Sequence, residues 1–145
     1  MVTTRAFVGI DAGTTGCTVM IFDGRGRSLG HGYKEYPCIA PHPGWIEQDL
    51  DAVWQAICEA CSQATSAANL PAEAYKSVGL SSQRGTVAML DEDKQPLCNS
   101  YVWNCTRAID YQAKFEAEIS PEEHQKLTGM QLSPLWTAAK IAWFR

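Results

Sequence analysis

The sequence predicts a mixed α/β fold, and three observations carry that reading. Three β-rich runs joined by tight turns open the chain, an amphipathic helix follows, and a short apolar run returns before a helical last third. Strand–strand–strand–helix–strand, then helices, suggests a ribonuclease-H-like core, a mixed sheet with flanking helices. The 145 residues suit one ordinary domain, and 46% hydrophobic with 19% charged residues is a globular balance.

Residues 6–10 read as a buried strand ending at Asp11, residues 17–22 as a second strand and residues 28–36 as a third. Asp23-Gly24-Arg25-Gly26 is a hairpin turn, so the three strands form an antiparallel meander. A loop with three prolines covers 37–44. Asp49 is a plausible N-cap for a helix running to about residue 67, with Leu50, Val53, Trp54, Ile57, Cys58 and Cys61 on one apolar face. Residues 77–81 read as a buried strand and 86–90 as another, with Asp91-Glu92-Asp93-Lys94 turning into an extended segment that reaches Trp103. Ala108, Tyr111, Phe115 and Ile119 keep helical spacing, and Ser120-Pro121-Glu122-Glu123 is a capping box for a short helix stopped by Gly129. Ser133-Pro134 restarts a helical pattern from Leu135 to Arg145 without a stop signal. The chain is therefore expected to end inside a helix. An exposed apolar patch around Trp136, Trp143 and Phe144 would point to a fragment or to an obligate partner.

Twelve basic against sixteen acidic residues give a net charge of −4, which argues against nucleic-acid and anionic-membrane partners. No apolar run is long enough to span a membrane, and Met1-Val2-Thr3-Thr4-Arg5 lacks the apolar core of a secretory signal. A cytoplasmic protein is expected. The six cysteines (Cys17, Cys38, Cys58, Cys61, Cys98 and Cys105) are then expected as free thiols. Cys58-Glu59-Ala60-Cys61 is the single CxxC pair, and core packing is its expected role, with metal or redox chemistry as the alternative. His31, His42 and His124 are scattered and expected at the surface.

Asp11-Ala12-Gly13-Thr14-Thr15-Gly16 stands where one strand ends and the next begins. Gly13 and Gly16 permit a tight turn whose backbone N–H groups can converge on an anion. Thr14 and Thr15 add hydroxyl donors, and Asp11 can hold Mg²⁺ directly or through water. This is neither a Walker A loop nor a GxGxxG turn. An ordinary hairpin turn with a capping Asp is the alternative.

Val8-Gly9-Ile10-Asp11-Ala12-Gly13-Thr14-Thr15 resembles the first phosphate motif of the FGGY family of carbohydrate kinases. The resemblance continues through Pro43-Gly44-Trp45-Ile46-Glu47-Gln48-Asp49, Val78-Gly79-Leu80-Ser81-Ser82-Gln83-Arg84-Gly85, and Pro96-Leu97 to Val102-Trp103-Asn104-Cys105-Thr106-Arg107. Together these four segments are specific for the family, with glycerol kinase and xylulokinase as the nearest flavours.

The resemblance implies a fold of the actin-like ATPase superfamily, with two ribonuclease-H-like domains around a cleft, ATP held mainly by the second and the sugar by the first. Residues 1–145 would be an incomplete N-terminal sugar-binding domain, with the C-terminal ATP-binding domain absent. Asp11 would help position Mg²⁺-bound phosphates, and Gly13, Thr14 and Thr15 would face the transferring phosphoryl group. Gln83, Arg84 and Trp103 match positions that line the polyol site. The bland alternatives are a core aromatic for Trp103 and a surface charge for Arg84; Trp45 and Glu47 read mostly as structural, with a place near the cleft as the lesser reading for Glu47. The family's general base lies in a later glycine-rich segment, and nothing after Arg107 resembles it.

Three departures bear on substrate and phosphate contacts. Glycerol kinases usually carry Glu where Gly85 stands, xylulokinases carry Met-His where Gln83-Arg84 stands, and many members carry a basic residue at the position of Thr18. The function expected is the N-terminal part of an ATP-dependent kinase acting on a small polyol or ketose, inactive by itself. The alternative is a non-catalytic module of the same fold that binds a polyol or a partner chain, and a homo-oligomer is compatible with either. A ribonuclease-H-type nuclease would need a carboxylate cluster and a basic footprint; Asp11 is present, but residues 77–82 end in hydroxyls before Gln83 and the net charge is −4.

Overall fold

The computed structural model describes residues 5–145, so nearly all of the stretch read for a secretory signal lies outside the described residues. Two compact units are present: the chain up to Cys38 with Asp49–Gln83, and Ile39–Gln48 with Arg84–Arg145.

The first unit is a four-stranded sheet, its strands in the spatial order Ser28–Glu35, Gly16–Asp23, Ala6–Ala12, Tyr75–Ser82, with one helix, α1 (Leu50–Ala68). Strands β1 (Ala6–Ala12), β2 (Gly16–Asp23) and β3 (Ser28–Glu35) form the expected antiparallel meander, and β5 (Tyr75–Ser82) pairs with β1 in parallel. The β2–β3 turn is held by Asp23, whose Oδ1 accepts from the N–H groups of Arg25 at 2.8 Å and Arg27 at 3.0 Å. Strand alternation places Cys17, Val19 and Ile21 on the face that packs with Ala6, Val8 and Ile10 under α1.

Asp49 caps α1 as expected, accepting from Asp51 N at 2.8 Å and Ala52 N at 3.2 Å, and Asn69 closes the helix in the left-handed region at φ 46°. The buried face of α1 departs from expectation. It is Ala56, Ala60 and Ala64, with Val53, Ile57 and Cys61 flanking, while Trp54 is 66% exposed and Cys58 is exposed. The cause lies in β3. A Cβ at Gly30 or Gly32 would collide with the backbone carbonyls of Ala64 and Ala60, so the helix approaches the strand more closely than any large side chain allows. Small residues on both elements seat the helix, and this rotates the bulky residues outward.

Strand β5 was expected to be buried. Val78 is 64% and Leu80 74% exposed. Register puts them beside Val8 and Ile10, but β5 is the sheet edge and α1 lies over β2 and β3.

In the second unit β4 (Glu47–Gln48) pairs antiparallel with β6 (Ser100–Tyr101). The strand expected over 86–90 does not form. Only isolated bridges appear, Val87 with Tyr101 and Leu90 with Pro96, and Pro96 has no N–H to extend a ladder. A single-turn helix at Ile109–Tyr111 leads into α2 (Gln112–Glu118), followed by α3 (Pro121–Thr128), capped by Ser120 Oγ at 3.2 Å from Glu123 N and ended by Gly129 at φ 73°. Helix α4 (Thr137–Phe144) starts two residues later than expected, because Trp136 is its extended N-cap residue. Trp136, Ile141 and Phe144 are exposed, but Trp143 is not part of that patch: it stacks edge-on against Trp45 at 5.2 Å and Tyr101 at 5.6 Å. Among the described residues no helix is long and apolar enough to cross a membrane.

Candidate functional site

The parallel pairing of β1 and β5 sets the geometry of the first unit. Asp11 stands opposite Ser81 and Ala12 opposite Ser82, and the N–H of Gln83 donates to Ala12 O at 2.9 Å. Two loops therefore leave the sheet side by side at the carboxyl ends of adjacent parallel strands, the usual place for ligands in α/β sheets. Thr14 Oγ1 donates to Gln83 Oε1 at 3.1 Å, so the turn after β1 and the end of β5 are tied through side chains. Asp11 and Thr15 are exposed and Gln83 is half-buried.

The turn also holds itself. Gly13 N–H donates to Gly16 O at 3.0 Å, which commits one of the amides expected to face an anion. The Tyr36 hydroxyl lies 2.6 Å from Gly13 O and 3.2 Å from Gly16 O and clamps the turn from below. Burial pushes this phenol up to about 12, so it remains a donor at every ordinary pH. Asp11 and Thr18 lie on the sheet face away from α1, where Gly9, Met20, Phe22 and Gly79 help line a hollow of about 410 Å³. Among the described residues no group of three or more His, Cys, Asp or Glu could hold a metal. Among the described residues none of the six cysteines is in a disulfide, and Cys58 is exposed.

Arg84 and Trp103 belong to the second unit, where both are exposed, Trp103 by 44%. Gly85, at φ +75°, turns the chain, and a Cβ there would lie 3.5 Å from Trp103 Cβ and 3.8 Å from Trp136 Cε3. Trp103 N–H donates to Thr86 Oγ1 at 3.1 Å. Beneath them the fully buried Lys140 donates to three carbonyls: Gly85 O at 2.9 Å, Trp103 O at 2.8 Å and Leu135 O at 2.5 Å.

A second buried cation braces the same unit. The Arg107 guanidinium lies 3.6 Å from the Tyr101 ring centre and 4.4 Å from that of Trp45. It pairs with Glu47 Oε1 at 2.5 Å, while Glu47 Oε2 accepts from Asn99 Nδ2 at 3.0 Å. Burial opposes the charge of Glu47, but these hydrogen bonds prevail and hold its carboxyl below the ordinary range. Burial likewise opposes a Cys105 thiolate, and donation from Arg107 Nε at 3.0 Å and Ile46 N at 3.3 Å brings that thiol down. Glu47 and Trp45 are thus engaged in structure.

The sequence reading missed Tyr36 and Lys140. Tyr36 carried no signal beyond its place at a strand end. Lys140 did, as a lone cation in the apolar run Ala138-Ala139-Lys140-Ile141-Ala142-Trp143.

Residues 6–145 match the family described as the FGGY family of carbohydrate kinases, N-terminal domain. The chain belongs to that family. Relatives of this FGGY chain include a glycerol kinase of Haloferax volcanii, 34% identical over 96% of the chain, and one of Allorhizobium ampelinum, 32% identical over 94%. The chain spans about 28% of the length of each. Among solved structures, a xyloylose kinase from Brucella ovis superposes with a TM-score of 0.87 at 29% identity, covering 96% of this chain and 29% of that one. The fold is ribonuclease-H-like, of the actin-like ATPase superfamily, with this chain matching an N-terminal part.

Proposed function

We propose that the full-length protein carrying this chain is a cytoplasmic, ATP-dependent kinase of a small polyol or ketose, and that residues 1–145 belong to its sugar-binding N-terminal domain. The observation that carries this reading is the tie between the turn after β1 and the end of β5, which sets Asp11, Thr14 and Gln83 at one end of a parallel strand pair. The names of the relatives favour a polyol or ketose acceptor.

Mg·ATP supplies the transferring phosphoryl group and neutralises its charge. Asp11, an exposed carboxylate at the end of β1, would be the residue to hold Mg²⁺, directly or through water. In this reading Asp11 and the hydroxyls of Thr14 and Thr15, with Gly13 giving close approach, hold the phosphate end. Gln83 and Arg84 offer directed donors to vicinal hydroxyls, and the exposed indole of Trp103 packs on the carbon skeleton. The missing C-terminal domain would bring ATP and close off water.

The test is ADP formation by the full-length gene product with Mg·ATP and a panel of triols, pentitols and ketoses. Asp11→Asn is expected to lower kcat by about 10²–10³, as removing one preorganised charge-stabilising group does. Arg84→Ala is expected to act mainly on the KM of the polyol, raising it by about tenfold or more for a lost charged hydrogen bond. Absence of ADP formation with every sugar and polyol would overturn the proposal.

A further inference from the structure

We propose that Lys140 is a positioning residue of the substrate site: its ammonium ties the Arg84-Gly85 turn and the Trp103 loop to the start of α4, and so fixes Arg84 and Trp103 relative to each other. This rests on the polyol-kinase reading above and adds to it a residue that touches no substrate. An ammonium has three N–H donors, and Lys140 spends all three on backbone carbonyls from three separate segments, those of Gly85, Trp103 and Leu135. Its side chain is fully buried and makes no ion pair among the described residues. An unpaired buried charge is costly, and a lysine on an apolar helix could be replaced by methionine if packing were its only task. The two loops it joins carry two of the residues expected to meet the sugar, and both of those side chains are exposed.

The tether carries its own titration. Burial pushes the Lys140 ammonium down to about 8; the ionisable groups acting on it are Cys105, which raises it, and Arg107, which lowers it further. Deprotonation leaves two N–H donors for three carbonyls, so one tether is released as the pH rises through that value.

The experiment compares the full-length wild-type protein with Lys140→Met and with Val19→Ala, a control truncation in the buried core of the other unit. The KM values for polyol and ATP are followed from about pH 6 to about pH 10. In parallel, isotope labels on tryptophan carbonyls and asparagine nitrogens report the Trp103–Asn104 peptide, the one Trp-Asn step in these residues. In the wild type and in Val19→Ala, polyol KM is expected to rise about tenfold with a midpoint near that of the Trp103 carbonyl resonance, while ATP KM stays flat. Lys140→Met is expected to show the high alkaline KM already at neutral pH, with both profiles flat. A polyol KM that ignores pH while the carbonyl resonance titrates overturns the proposal, and so does wild-type KM in Lys140→Met. If Lys140→Met does not fold, the shared or separate midpoints in the wild type decide. If no polyol is phosphorylated, the kinase reading falls, and the tether is judged by whether the carbonyl and the Trp103 indole resonances titrate together.

Discussion

Arg107 shows how a single charge can brace a fold. Its guanidinium is enclosed by Tyr101 and Trp45 and held by Glu47, whose side chain is 15% exposed against 1% for the arginine. Removing one partner leaves the other buried and unpaired, so Glu47→Gln should cost about 3–5 kcal/mol in urea unfolding, and the double variant with Arg107→Met less than the sum of the singles. Because the folded carboxyl lies below its unfolded value, the stabilisation is complete above about pH 4.3 and is lost as the pH falls through the lower, folded value. Glu47→Gln should flatten that acid limb, and an unchanged limb would refute the assignment. This network was only half legible in the sequence. Glu47 and Trp45 read as structural, but the partner that explains them lies 60 positions from Glu47, beyond the reach of local spacing. The site residues proposed above come from motif resemblance, whereas Tyr36 and Lys140 bind backbone carbonyls, which no motif encodes.

At the scale of elements, the meander, the Asp49 cap and the Gly129 stop were all readable, because turns and caps are local chemistry. The face of α1 was not. Helical periodicity favours the stripe with the largest residues, while the strand beneath selects the smallest. Gly32→Ala places a methyl group against the Ala60 carbonyl and should destabilise by about 1–3 kcal/mol, the usual cost of overpacking. Gly9→Ala meets nothing within 4 Å and should be close to neutral. Equal midpoints in urea for the two variants would contradict the close approach. The strand expected over 86–90 failed for a related reason: alternation cannot tell a ladder from a ribbon joined at single bridges.

For the whole molecule, length decides more than any residue. The chain spans about 28% of relatives named glycerol kinase, and β5 turns Val78 and Leu80 outward at the sheet edge. Phosphoryl transfer depends on positioning both reactants in line. Under the proposed function the 145 residues alone, given Mg·ATP and a polyol, should form no phosphorylated product, whereas the full-length gene product is expected to; turnover by the short chain would show that the half-site suffices. The family was legible because its signature segments are dispersed along the chain, but the substrate was not. Gly85 and Gln83-Arg84 mix the patterns of two substrate classes, so the motifs point to neither.

The close seat of α1 on β3 also constrains how this gene can drift. Every missense change from a glycine codon adds a side chain, and at positions 30 and 32 even the smallest of these runs into helix backbone, which cannot rotate aside. Those two codons tolerate only silent substitutions unless α1 shifts as well. Exchange at either position between diverging lineages then requires a coordinated change across the helix, while the codon for Gly9 is free to wander.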